Sequence, residues 1–295
     1  MKTRRGMVAG VAAYLVWGAS PIFWKATAVI PAFEVLSWRV LSALALLLGL
    51  VALTGRGKSL RRTLSNGRTI ALAVASGALL AVNWILFIWA VTEGHILEAS
   101  LGYYINPLMS VALGVALLGE ELRPAVRLAV GIAALGVAVM TIAGGQFPWI
   151  ALSLAVTFAI YGLMKKHSDA APPIEGLLTE TATVTLPLGF YLITLLGSAR
   201  SVAVDTPSTW ALIPFTGVIT IVPLVLFGYA AQRIPLSSVG MLQYIAPTLQ
   251  LMIGVGLYGE VITTARAFGF ASVWTALAIF AWDNLRSSPE AAAES

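Results

Sequence analysis

The sequence predicts an all-α polytopic membrane protein: ten transmembrane helices in two inverted five-helix repeats around a central cavity, with both termini cytoplasmic. Three observations predict it. The 295-residue chain has a mean hydropathy of +0.89, with 59% hydrophobic and only 11% charged residues, too little polar surface for a water-soluble protein of this size. It divides into ten apolar stretches of spanning length, since a transmembrane helix needs about 20 residues. It also repeats itself: Tyr104-Ile105-Asn106-Pro107, followed by Gly119-Glu120, returns 140 residues later as Tyr244-Ile245-Ala246-Pro247 and Gly259-Glu260. That period points to two related halves rather than to a solenoid.

The spans follow from their punctuation. Gly6–Ile30 comes after Lys2, Arg4 and Arg5 and exceeds the 7–15-residue apolar region of a signal peptide. Ala32–Leu53 opens after Pro31 and stops at Thr54-Gly55-Arg56-Gly57-Lys58. Thr69–Val91 follows Arg68. Ile96–Leu118 carries the first Tyr-Ile-Asn-Pro and ends at Gly119. Pro124–Ala143 begins on a proline and ends at Gly144-Gly145, and Phe147–Met164 stops at Lys165-Lys166. Ile174–Gly197 opens after Pro172-Pro173, and Thr209–Ala231 follows Asp205-Thr206-Pro207. Leu236–Tyr258 carries the second copy of the motif, and Thr263–Asn284 ends before Arg286. The first repeat is expected over residues 1–145, the second over 146–286, and a disordered cytoplasmic tail over 287–295. Segments five helices apart run in opposite directions, so the halves are inverted.

With the N-terminus inside, fourteen Lys and Arg fall on the inner side against Lys25, Arg200 and Arg266 outside, the asymmetry expected of cytoplasmic loops. The net charge of +5 is thereby explained as a topology signal, with the run Arg56–Arg68 able to touch anionic lipid heads. Nucleic acid is not expected as a partner, and no obligate protein partner is evident. With no cysteine, and with His95 and His167 in loops on opposite faces, neither metal nor other cofactor is expected. Gly254-Val255-Gly256-Leu257-Tyr258-Gly259 matches the dinucleotide pattern but lies inside a span, where small residues serve close helix packing. Gly57-Lys58-Ser59 lacks the leading glycine of a phosphate loop, having Ala52 there. ATP-driven transport is therefore unsupported.

Charges at membrane depth are functional candidates by default. Arg39 lies about 10 Å into its helix, and Glu180 occupies the matching place in the other half, Pro31-Ala32-Phe33-Glu34 aligning with Pro172-Pro173-Ile174-Glu175. A direct Arg39–Glu180 bridge is not expected; two charges facing one watered cavity are. Glu98 opens its helix, where it either binds a proton or cation or stabilises the N-terminus. Tyr103, Pro107, Ser110 and Gly114 share one helical face, as do Gln243, Pro247, Gln250 and Gly254. Pro107 and Pro247 are expected to kink their helices, and two readings stand, a cavity lining or plain packing; Tyr104 and Tyr244 share that ambiguity. Asn83 must find a hydrogen bond inside the bundle, and Trp84 can offer a flat wall to substrate. Trp17, Trp24, Trp38, Trp84, Trp89, Trp149, Trp210, Trp274 and Trp282 are read mostly as an interfacial belt.

Ala13-Tyr14-Leu15-Val16-Trp17-Gly18, Asn83-Trp84-Ile85-Leu86-Phe87-Ile88-Trp89-Ala90-Val91, Leu97-Glu98-Ala99-Ser100-Leu101-Gly102-Tyr103 and Gln243-Tyr244-Ile245-Ala246-Pro247-Thr248-Leu249 resemble the drug/metabolite transporter superfamily and its EamA domains. The likeness covers nearly the whole chain. It implies a bacterial inner-membrane permease with a central cavity opening alternately to either side, and no catalytic residues. The expected function is a secondary transporter exporting a small metabolite, an amino acid or related amphipathic compound, with a proton as a candidate coupling ion. Arg39 would hold a carboxylate, with Asn83, Tyr103, Tyr104, Asn106, Gln243 and Tyr244 around it and Glu98 or Glu180 taking the proton. The alternatives are a drug efflux permease related to chloramphenicol phenotypes, an intramembrane lipid-modifying enzyme, and a non-transporting regulatory membrane protein.

Overall fold

The apolar stretches become helices because, without water, each backbone N–H and C=O must be satisfied within its own segment. The computed structural model describes residues 2–27, 29–92, 96–143, 147–167, 171–198, 200–201, 210–259 and 263–286. They form α1 (Lys2–Ala26), α2 (Ala32–Leu53), α3 (Gly57–Leu64), α4 (Gly67–Thr92), α5 (Ile96–Leu118), α6 (Pro124–Ala143), α7 (Trp149–His167), α8 (Pro173–Gly197), α9 (Ile213–Ala231), α10 (Leu236–Gln243), α11 (Ile245–Tyr258) and α12 (Thr264–Arg286), with no strand among the described residues. Ten spans are long and apolar enough to cross a membrane, α10 and α11 counting as one. Their outward faces are apolar, with Leu53, Ile142 and Leu186 largely exposed, as a protein solvated by lipid requires.

Departures from the sequence expectation have local causes. The basic stretch read as a break contains α3, whose Leu60 packs on the core while Lys58, Arg61 and Arg62 are exposed. The span over 236–258 is broken at Tyr244, three residues before Pro247, whose ring and missing N–H oppose a continuous helix. Pro107, at the matching place, lies inside α5, which runs on through it. His167, expected in a loop, is the last residue of α7, and its side chain lies outside the described set. Gly254–Gly259 is helical as expected, but Gly256 faces open space and Gly259 supplies the left-handed cap of α11 (φ +66°), so neither makes the close packing contact anticipated.

The helices pack in matched sets: α1 and α2 against α9, and α7 and α8 against α4; α5 against α7, and α11 against α1. Gly77 of α4 abuts the backbone of Glu180, and Gly217 of α9 abuts Ser42 and Ala43 of α2. These two glycines are 140 positions apart and set the closest approaches of α4 to α8 and of α9 to α2. Residues 95, 144–145, 205–207, 260 and 287–295, on which a loop histidine, three boundaries, the second motif glutamate and the tail were placed, lie outside the described residues.

Candidate functional site

Arg39 sits seven residues into α2, about 10 Å along the helix. Its Nε donates to Thr220 Oγ1 of α9 at 2.6 Å, and its guanidinium lies 4.5 Å from the Trp84 ring centroid and 5.3 Å from that of Trp24. Both distances fall within the cation–π range of about 6 Å. Thr220 is itself anchored to the Thr216 carbonyl at 2.7 Å. No ion pair among the described residues includes Arg39. Tyr103 lies within electrostatic reach of the guanidinium and keeps 43% of its surface exposed. A cation held by two indoles and a hydroxyl retains donors for an anion.

Glu180 is seven residues into α8 and fully buried, but its charge is answered. Lys165 of α7 pairs with it, Ser76 of α4 donates to Oε1 at 2.7 Å, and the Tyr161 hydroxyl donates to Oε2 at 3.3 Å. Lys165 stands 141 positions after Trp24, as Glu180 stands 141 after Arg39. At corresponding places, one half therefore puts a lysine beside a carboxylate and the other puts an indole beside a guanidinium. A small pocket of about 10 Å³ lies between α2, α4, α8 and α9, lined by Val40, Ala43, Leu80, Trp84, Glu180, Thr181, Val184 and Thr220. A second, also of about 10 Å³, is lined by Ser76, Lys165, Pro172, Glu180, Gln232 and neighbours. Glu180 borders both.

Residues 4–142 match the EamA-like transporter family. The chain is 42% identical to Protein RarD from Streptomyces exfoliatus over 287 residues, spanning 97% of this chain and 90% of the relative. It is 37% identical to the uncharacterized transporter YojE from Bacillus subtilis (strain 168) over 290 residues, 97% and 96% of the two chains. The chain belongs to the EamA-like transporter family, among its RarD proteins. A solved crystal structure superposes with a TM-score of 0.75 at 20% identity over 94% of this chain and 97% of that one, a likeness of fold alone. The chain is a multi-pass membrane transporter of the drug/metabolite superfamily.

Within this EamA-family fold, the remaining candidates fall into separate places. Asn83 donates to Leu154 O at 2.9 Å and Thr157 Oγ1 at 2.8 Å, tying α4 to α7. Tyr104 is buried edge-on to Phe270, and Tyr244 is buried with its hydroxyl donating to Tyr104 O at 3.2 Å. Gln243 donates to Ser110 Oγ at 2.9 Å, and Gly240 lies against Pro107 O and Ser110. The face of α5 carrying Pro107, Ser110 and Gly114 is thus its contact with α10, while Tyr103 stands apart beside Arg39. Asn106 is buried with Oδ1 unpartnered. The side chain of Glu98 lies outside the described residues.

Trp24, Thr220, Lys165, Ser76 and Tyr161 were not singled out from sequence. Trp24 was assigned to the interfacial belt and Lys165 to the topology signal. Extending the 141-residue offset from Arg39 and Glu180 back to Trp24 and Lys165 would have found both. Trp17 also leaves the belt, packing among Tyr14, Phe158 and Phe227 inside the bundle.

Proposed function

We propose that this transporter exports a small metabolite bearing a carboxylate across the bacterial inner membrane, by rocking two inverted halves around the cavity beside Arg39, with both termini cytoplasmic. The observation that carries the reading is a half-buried arginine at membrane depth, held by two indoles and a threonine, with no carboxylate paired to it among the described residues. A desolvated charge of this kind is costly unless something answers it, and a substrate carboxylate would do so with two parallel N–H···O bonds. Outward direction and the amino-acid class are part of the proposal, suggested by the family resemblance and tested by the assay below. Glu180, bordering both cavities, is the favoured coupling-proton site, with Lys165 and Tyr161 of α7 and Ser76 of α4 facing it and Arg39 of α2 directed away to Thr220.

The test is counterflow in proteoliposomes with labelled amino acids, related metabolites and amphipathic drugs, against empty liposomes and Arg39→Ala. Exchange of an unchanged carboxylate compound that Arg39→Ala abolishes in a well-folded protein supports the reading. Exchange unaffected by Arg39→Ala removes Arg39 from the site. A chemically altered compound favours the intramembrane-enzyme alternative.

A further inference from the structure

The repeated Gly-Glu pair is not used by the substrate site, yet the first copy makes a charged link to residues 234–237. Gly119 ends α5 at φ +64°, a left-handed conformation that glycine adopts without steric cost. The Glu120 N–H turns back to Gly114 O at 3.0 Å. This turn carries the Glu120 carboxylate to the start of α10, where Oε1 accepts from Leu236 N at 2.6 Å and Oε2 from Ser237 N at 2.8 Å. Those N–H groups have no partner inside their own helix and carry the positive end of its dipole. Lys166 stands 3.6 Å from the same carboxylate and donates to Ile234 O at 2.8 Å. The end of α5, the end of α7 and the turn before α10 are closed into one ring.

The element so clamped is short and set off from its neighbour. α10 has eight residues and is parted from α11 at Tyr244. Its contact with α5 runs over small residues: a Cβ at Gly240 would come within 2.7 Å of Pro107 O, and one at Gly114 within 2.7 Å of Glu120. The small residues let α10 lie close on α5 while Leu236, Val239 and Met241 pack in the core, and the Glu120 carboxylate adds a charged tie at its N-terminal end.

We propose that Glu120 and Lys166 are the latch of a gate, with α10 the moving leaf and Tyr244–Pro247 its hinge, fastened in this conformation at the end of the bundle that holds Lys165 and Lys166. The inference rests on the alternating-access reading. Opening at that end requires the carboxylate to leave Leu236 N and Ser237 N, and closing of the opposite end accompanies it.

The chain has no cysteine, so single-cysteine labelling tests this without background. Ser237→Cys reports the latch, being 5% exposed, and Tyr103→Cys reports the other end, being 43% exposed; about 20 Å of helix rise separates Tyr103 from the end of α5. A membrane-impermeant maleimide is applied to purified protein in lipid nanodiscs. Glu120→Gln is expected to raise the Ser237→Cys rate about tenfold, equivalent to ~1.4 kcal/mol, and to lower the Tyr103→Cys rate. Lys166→Met, which leaves the carboxylate on the α10 backbone, moves both rates the same way by less and serves if Glu120→Gln does not fold. A faster Ser237→Cys with an unchanged Tyr103→Cys means a helix cap only and overturns the proposal, as does no change in either. The labelling uses no substrate, so its failure is distinct from a failed counterflow assay.

Discussion

Arg39, half-buried, and Lys165, buried, are both cations inside the bundle, but their removal should have different consequences for stability. Lys165→Met leaves Glu180 inside the bundle with only the Ser76 and Tyr161 hydroxyls, and breaking a buried pair from one side costs about 3–5 kcal/mol. Arg39→Leu strands no charge. It forfeits two cation–π contacts, about 0.5–1 kcal/mol each, and one hydrogen bond to Thr220, about 1.5–3 kcal/mol. It also ends the partial burial of a guanidinium without a counter-ion among the described residues, an opposing term of similar size. These terms offset to within about 1 kcal/mol, so Arg39→Leu should be close to neutral while abolishing transport. Equilibrium unfolding in mixed micelles, followed by intrinsic fluorescence, measures both, and Lys165→Met/Glu180→Gln should recover at least half of the Lys165→Met loss. If Arg39→Leu proves as costly as Lys165→Met, Arg39 is a structural residue and the ligand argument collapses.

Three further outcomes are expected. Arg39→Lys should weaken apparent substrate affinity about tenfold or more, because an ammonium neither stacks flat between Trp24 and Trp84 nor binds a carboxylate in two-pronged fashion; an unchanged affinity in counterflow rejects that geometry. Glu180→Gln should uncouple accumulation from an imposed pH gradient while leaving downhill exchange, and gradient-driven uptake that persists counts against the proton assignment. Asn83→Leu leaves Leu154 O and Thr157 without their donor, so it should lower stability by about 1–2 kcal/mol without altering affinity. A shift in affinity would return Asn83 to the binding site.

The spans were legible in the sequence because spanning length and apolar character are written locally, and α2, α5 and α6 keep the boundaries read from punctuation alone. The eight-residue α3 was not, since its register shows only when Leu60 meets the core. The consequence of proline was half legible. The same Tyr-Ile-x-Pro string breaks the span over 236–258 but leaves α5 continuous, because neighbours that satisfy freed backbone groups decide the matter. Charges at depth identified Arg39 and Glu180, whereas Thr220 and Ser76 could not be found, as serines and threonines occur throughout the spans and most bond a carbonyl of their own helix. Thr179, Thr183 and Thr185 all do so.

Arg39 and Glu180, 141 positions apart, stand in contrasting surroundings. At corresponding depths on α2 and α8 the chain places opposite charges, and it places opposite answers beside them. The carboxylate receives Lys165, a hydroxyl from α4 and a phenol; the guanidinium receives two indoles and a hydroxyl from α9. Were both charges there to hold helices together, Arg39 and Glu180 could have answered one another or each taken a fixed counter-ion. Instead the carboxylate pairs with Lys165, while among the described residues the arginine has no counter-ion, which is where the proposed substrate carboxylate would sit. An anion that arrives there completes the site, and one that leaves restores the cost of an unanswered charge, which is the property a carrier needs from a site that must release what it binds.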